Sequence, residues 1–98
     1  MTAAETDPQS KLPALVFVHS RRDGASRKME SLVAWIKVTQ KKRLRVVDLD
    51  AERSTVLTER LRIRKIPSLL LVKDRRVVGR LEGRATGRQI EELIRAHL

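Results

Sequence analysis

The chain has 98 residues, enough for one small domain, and its apolar content of 41% supports a core that is small relative to its surface. With no cysteine, thiol–disulfide exchange, thiol peroxidase chemistry and thiolate metal sites are excluded, whatever the redox state of the compartment. The 22 basic and 12 acidic residues leave a formal charge of +10, which favours polyanions or acidic protein surfaces as partners.

Residues 1–12 are polar, without periodicity, and read as a flexible tail; the domain then spans 13–98. The start of the chain lacks the basic and apolar regions of a secretory signal. No apolar run approaches the roughly 18 residues of a membrane span. The expected location is cytoplasmic, with no membrane partner. Pro13 introduces Ala14-Leu15-Val16-Phe17-Val18, a strand rich in β-branched and aromatic residues. His19 to Arg22 form a loop, and Asp23 is suited to cap a helix. From Ala25 the apolar residues Met29, Leu32, Val33 and Ile36 recur at helical spacing, with Trp35 to one side and Val38 nearly opposite. That helix ends near Gln40, where Lys41, Lys42 and Arg43 complement its negative end.

Leu44 to Leu49 form a second strand, parallel to the first because a crossover helix joins them. Residues 56–61 form a short helix with Leu57 and Leu61 inward. Pro67 then heads Leu69-Leu70-Leu71-Val72, an unbroken apolar run that reads as a strand buried on both faces; proline is tolerated at a strand's start because it lacks an N–H. Asp74-Arg75-Arg76 turn the chain, and residues 77–81 return as a fourth strand. Gly83 follows. Thr86 caps a last helix whose inward stripe is Ile90, Leu93, Ile94 and Leu98. The order is β-α-β-α-β-β-α: an α/β fold with a four-stranded mixed sheet and helices on both faces. The first and third helices share one face. The short second helix leaves the other undercovered, so that face, or the rim near Trp35, is a candidate partner or homodimer contact; a tail folded back over it is the alternative.

Ile66-Pro67-Ser68-Leu69-Leu70-Leu71, the strand end Val47-Asp48-Leu49-Asp50 and Gly83 before the last helix resemble, in order and spacing, the thioredoxin family, whose members show I-P-T-L-L-L, V-D-x-D and a glycine there. The resemblance covers residues 14–98 and implies a thioredoxin-like fold with a cis-proline. It also locates a degenerate redox motif at Arg22-Asp23-Gly24-Ala25-Ser26, where thioredoxins have W-C-G-P-C. Asp23 stands at the nucleophilic cysteine position, Ser26 at the resolving one and Arg22 at the tryptophan. Phe17 stands where a buried aspartate would assist proton transfer. The resemblance implies that the fold persists and the redox activity does not, with no catalytic residue, no cofactor and no metal.

The same resemblance brings Arg21, Arg22, Arg64, Lys65 and Arg84 together around a helix N-terminus, a combination suited to an anionic ligand. Asp23 can cap the same N–H groups and cancel part of that field, and the arginines can equally be a solvated rim. Family members bind extended peptides beside the proline through main-chain groups, which makes Ile66 and Pro67, with the basic rim of Arg22, Arg64, Lys65 and Arg84, candidates for a protein partner. The reading is therefore a redox-inactive, non-enzymatic adaptor. The alternative is a basic protein that binds nucleic acid or ribosomal phosphates non-specifically. Trp35 alone cannot build a stacking platform for single strands. His19 and His97 read as structural residues, Asp48 and Asp50 do not by themselves make a metal site, and Ser26 has no base arranged by sequence.

Overall fold

The structure, a computed structural model, describes residues 12–98. The expected tail, residues 1–12, lies outside the described residues except for Leu12. Seven elements follow in order: β1 (Ala14–His19), α1 (Gly24–Thr39), β2 (Arg45–Asp50), α2 (Thr55–Arg60), β3 (Ser68–Lys73), β4 (Arg76–Glu82) and α3 (Gly87–His97). The sheet order is β2-β1-β3-β4. β1 runs parallel to β2, with Ala14 opposite Arg45 and His19 opposite Asp50. β3 is antiparallel to both β1 and β4. The α/β architecture and mixed sheet are those expected from the sequence.

Alternation along the strands divides the core in two. Leu15 and Phe17 of β1, with Leu69 and Leu71 of β3, face α1 and α3 and meet Met29, Val33, Ile36, Ile90 and Ile94. Ser26, rather than Ala25, begins the buried stripe of α1. On the opposite face Val18, Leu49 and Leu70 form a smaller cluster, closed by Ala51, Leu61 and Ile63.

Three expectations are corrected. Leu57 is 48% exposed rather than inward, because α2 is too short to bury any of its residues and the chain after it does the covering. Leu98 lies past the last turn of α3 and is exposed rather than part of its stripe. The second face does not leave its central residues open: Val18 and Leu70 are fully buried. The most exposed large apolar side chains are Trp35 and Val38 on α1 and Val56 and Leu57 on α2; Ile66, Val77 and Leu98 are exposed to a lesser extent.

The β3–β4 pairing carries a bulge. Leu71 pairs with Gly79 and Val72 with Val77, so Val78 is the extra residue. At Gly79 the absence of a Cβ has a packing role: one built there would lie 2.6 Å from Leu93 Cδ1 and 3.0 Å from His97 Nε2. A Cβ there would require the ends of the Leu93 and His97 side chains to shift. A capping box starts α3. Thr86 Oγ1 accepts the Gln89 N–H, and the Thr86 N–H donates to Gln89 Oε1 at 2.8 Å. Among the described residues, no helix is long and apolar enough to cross a membrane.

Candidate functional site

β1 ends in a loop that is tied down by its own side chains. Asp23 is the N-cap of α1, and its Oδ2 accepts from both the Ser26 N–H and the Ser26 hydroxyl, each at 2.9 Å. Ser26 is fully buried, and its Oγ in turn accepts the Ser20 N–H at 3.2 Å. Asp23 and Ser26, the two positions that the sequence resemblance sets against the family's cysteines, are thus joined by hydrogen bonds. The Ser26 hydroxyl is both buried and engaged, donating to Asp23 and accepting from Ser20. The Asp23 carboxylate also takes up part of the positive end of α1 that was a candidate anion site. Gly24 is exposed and Ala25 half-buried, and neither brings chemistry to the loop.

The β1–β3 register pairs Val18 with Ser68, so the proline turn lies beside the end of β1, where this loop begins. The Ile66–Pro67 peptide bond is cis. Two hydrogen bonds clasp the turn: Ser68 Oγ donates to the Lys65 carbonyl at 2.6 Å, and the Gly83 N–H donates to the Pro67 carbonyl at 2.7 Å. Gly83 sits at φ +81°, a left-handed conformation that side chains disfavour. Pro67 is fully buried and its carbonyl is engaged, so it presents nothing to a partner. Ile66 differs. Its side chain is exposed, and among the described residues its main chain takes part in no hydrogen bond.

The basic residues separate into two groups. Arg64, Lys65 and Arg84 are exposed on either side of the proline turn, and the Lys65 stem passes Gly83, whose Cβ would lie 3.8 Å from Lys65 Cδ. Arg22 belongs to the other loop. Its Nε lies 3.8 Å from Glu52, whose Oε1 also accepts the Ser20 hydroxyl at 2.6 Å. These contacts draw Arg22 toward the loop after β2.

The remaining candidates resolve as follows. Asp50 organises its own turn, accepting the Glu52 N–H at 3.0 Å and lying 3.9 Å from Arg53. His97 packs over Gly79. His19 stacks on Phe17 with ring centroids 5.0 Å apart, and its Nδ1 is buried without a hydrogen-bond partner. Among the described residues, no group of three or more His, Cys, Asp or Glu is placed to hold a metal. One feature that sequence reasoning missed is a cavity between α1 and the β1–β2 edge, reached by Phe17, His19, Glu30 and Asp48. Its lining comes from three separate elements, so no local sequence signal marks it.

A sheet of order β2-β1-β3-β4, a capped helix after its first strand and a proline turn at the head of its third define a thioredoxin-like domain built without thiols. The sequence model of the family described as Thioredoxin matches residues 7–96, and the chain belongs to that family. A search of curated proteins finds no match. Among solved structures, the chain is similar to the germline-specific thioredoxin Deadhead of Drosophila melanogaster, with 17% identity, a TM-score of 0.85 and coverage of 96% of this chain and 89% of that one. It is also similar to a malarial protein, at 15% identity and TM-score 0.81, covering 89% of this chain and 98% of that one. A third, mitochondrial thioredoxin 3 of Saccharomyces cerevisiae in its oxidized form, has 17% identity and TM-score 0.80, covering 90% and 81% respectively. At these identities the likeness is one of fold. The family's thiol chemistry has no cysteine to act through in this chain.

Proposed function

We propose that this domain is a binding module, not an enzyme, and that it takes an extended acidic polypeptide segment along the main chain of Ile66. The observation that carries this reading is the state of that residue. Ile66 is exposed and its amide and carbonyl are unengaged among the described residues, between a proline turn clasped by Ser68 and Gly83 and the exposed cations Arg64, Lys65 and Arg84. Main-chain pairing with an extended peptide requires no cysteine, and the cations beside it favour carboxylates on the incoming chain. Titration of the isotopically labelled protein with unstructured peptides of acidic, neutral and basic composition tests it. Saturable shifts centred on residues 64–68 and 83–84, strongest for the acidic peptide and weakened about three- to tenfold in Arg64→Ala/Arg84→Ala, are the expected result. Absence of any saturable peptide binding there overturns it.

A second reading rests on the charge of +10, together with the exposure of Arg21, Arg64, Arg75, Arg76 and Arg84, none of which lies in an ion pair among the described residues. It makes the protein a non-specific binder of nucleic-acid phosphates. Binding to generic RNA or DNA that falls steeply with salt, without preference for sequence, favours this reading over the first.

A further inference from the structure

Carboxylates and cations are unevenly placed along the sheet. Asp50 lies opposite His19 at the end of β1, and Glu82 opposite Ser68 beside the proline turn. With Glu52 they take up Arg53, Arg80 and Arg22 in ion pairs. The other end, where Arg45 lies opposite Ala14 and Lys73 opposite Arg76, differs. α1 also ends there, and the chain runs from Lys37 through Lys41, Lys42 and Arg43 into β2. β1, six residues long, holds the two ends about 17 Å apart. At the basic end a hollow of about 180 Å³ is lined by Lys37, Lys41, Leu44, Arg45 and Val46, with no carboxylate among the lining residues. All three of its cations are exposed, and none lies in an ion pair among the described residues. A second hollow, reached from Gln40 and Arg43, adds Arg95 of α3, here accompanied by Glu91.

Three cations around one hollow exceed what the end of a helix calls for, since its carbonyls carry only about half a negative charge. They repel one another, and a negatively charged ligand relieves that repulsion. The make-up of the face distinguishes among anions. Protein–protein interfaces are poor in lysine and centre on a buried apolar or aromatic anchor, whereas nucleic-acid interfaces are strongly basic and need none. Here Lys37, Lys41 and Lys42 stand out with Arg43 and Arg45, while Leu44 is buried and Val46 half-buried. Trp35 is set about 160° around α1 from Lys37 and supplies no anchor to this hollow. We propose that this end of the sheet docks the phosphate backbone of nucleic acid, one phosphate seated between Lys37, Lys41 and Arg45 and its neighbours along the strand met by Lys42 and Arg43. The inference rests on the nucleic-acid reading above and gives that reading its contact face. The proline turn, at the opposite end of β1, stays open to a peptide.

The test is the fluorescence anisotropy of labelled DNA and RNA duplexes of arbitrary sequence, titrated with the full-length chain over a series of salt concentrations. Lys37→Gln/Lys41→Gln/Arg45→Gln is compared with Arg27→Gln/Lys28→Gln/Arg60→Gln, which removes the same charge elsewhere on the surface. All six side chains are exposed, so both variants should keep the melting temperature of the parent. The first variant is expected to bind about tenfold or more weakly. Its slope of log K against log salt should be shallower by about 2–3, since each lost phosphate contact removes about 0.9. The second should stay within about threefold of the parent, with its slope unchanged. Equal loss in the two variants overturns the proposal and leaves the nucleic-acid reading standing, because total charge and not this face then sets the binding. A parent chain that binds neither duplex overturns both. Tighter binding of poly-glutamate than of the duplexes assigns the face to acidic polypeptides and overturns the proposal as well.

Discussion

Asp23 and Ser26 are joined twice, the aspartate Oδ2 accepting from the serine's main-chain N–H and from its hydroxyl at 2.9 Å in both cases. The pair caps α1, and through the Ser20 N–H it also pins the loop after β1. Asp23→Ala should therefore cost about 1–2 kcal/mol, the usual loss for a capping side chain. Ser26→Ala should cost about 1–3 kcal/mol, because it leaves the Ser20 N–H without its acceptor. Urea denaturation checks both, and an unchanged midpoint in either variant contradicts the role given to that residue.

Arg80 of β4 reaches across to the end of α2. Its guanidinium donates to the carbonyls of Leu61 at 3.0 Å and Arg62 at 3.3 Å, and lies 3.6 Å from Glu82. These carbonyls close a helix that buries none of its own residues. Arg80→Ala should lower global stability by only about 1 kcal/mol, since the guanidinium is partly solvated. It should raise hydrogen exchange over residues 55–63 much more than over β1 or β3. Uniform acceleration across the sheet would count against this local role.

Gly79→Ala places a methyl group 2.6 Å from Leu93 Cδ1. The Leu93 and His97 side-chain ends can shift to relieve the contact, so the cost is about 1 kcal/mol, the low end for overpacking. For a domain of this size each kcal/mol lowers the melting temperature by about 4–8 °C. Calorimetry should show that loss for Gly79→Ala. It should be absent for Gly24→Ala, where the added atom meets nothing within 4 Å.

The β3–β4 turn holds Asp74 at φ 52° and Arg75 at φ 65°, two successive left-handed residues and neither a glycine. This is the backbone of the tight hairpin turn for which Asn-Gly and Asp-Gly are preferred. Arg75→Gly should stabilise the protein by about 0.5–1 kcal/mol by removing the side-chain strain at that position. A lowered denaturation midpoint for this variant would mean that the Arg75 side chain makes a contact worth more than the strain.

Much of the architecture was legible in the chain itself. Apolar runs at Ala14–Val18 and Leu69–Val72 marked the central strands. Helical spacing from Met29 to Ile36 marked α1, and Asp23 and Thr86 marked two helix starts. These signals are local: burial period, capping chemistry and proline's missing donor act over a few residues and survive without the rest of the fold. Cysteine content alone closed the family's thiol chemistry to this chain. The tertiary structure decided everything that depended on which distant groups met. It exposed Leu57, because a helix of six residues, fewer than two turns, cannot cover a sheet and the residues after it did so instead. It buried Pro67 and spent its carbonyl on Gly83, leaving Ile66 as the open residue of the pair. It turned Arg22 toward Glu52 while Lys65 passed Gly83. It also brought His19, Glu30 and Asp48, from three different elements, around one cavity. The physical reason is range: periodicity encodes which face of an element is buried, whereas side-chain meetings across elements follow from register and packing, which no local pattern specifies.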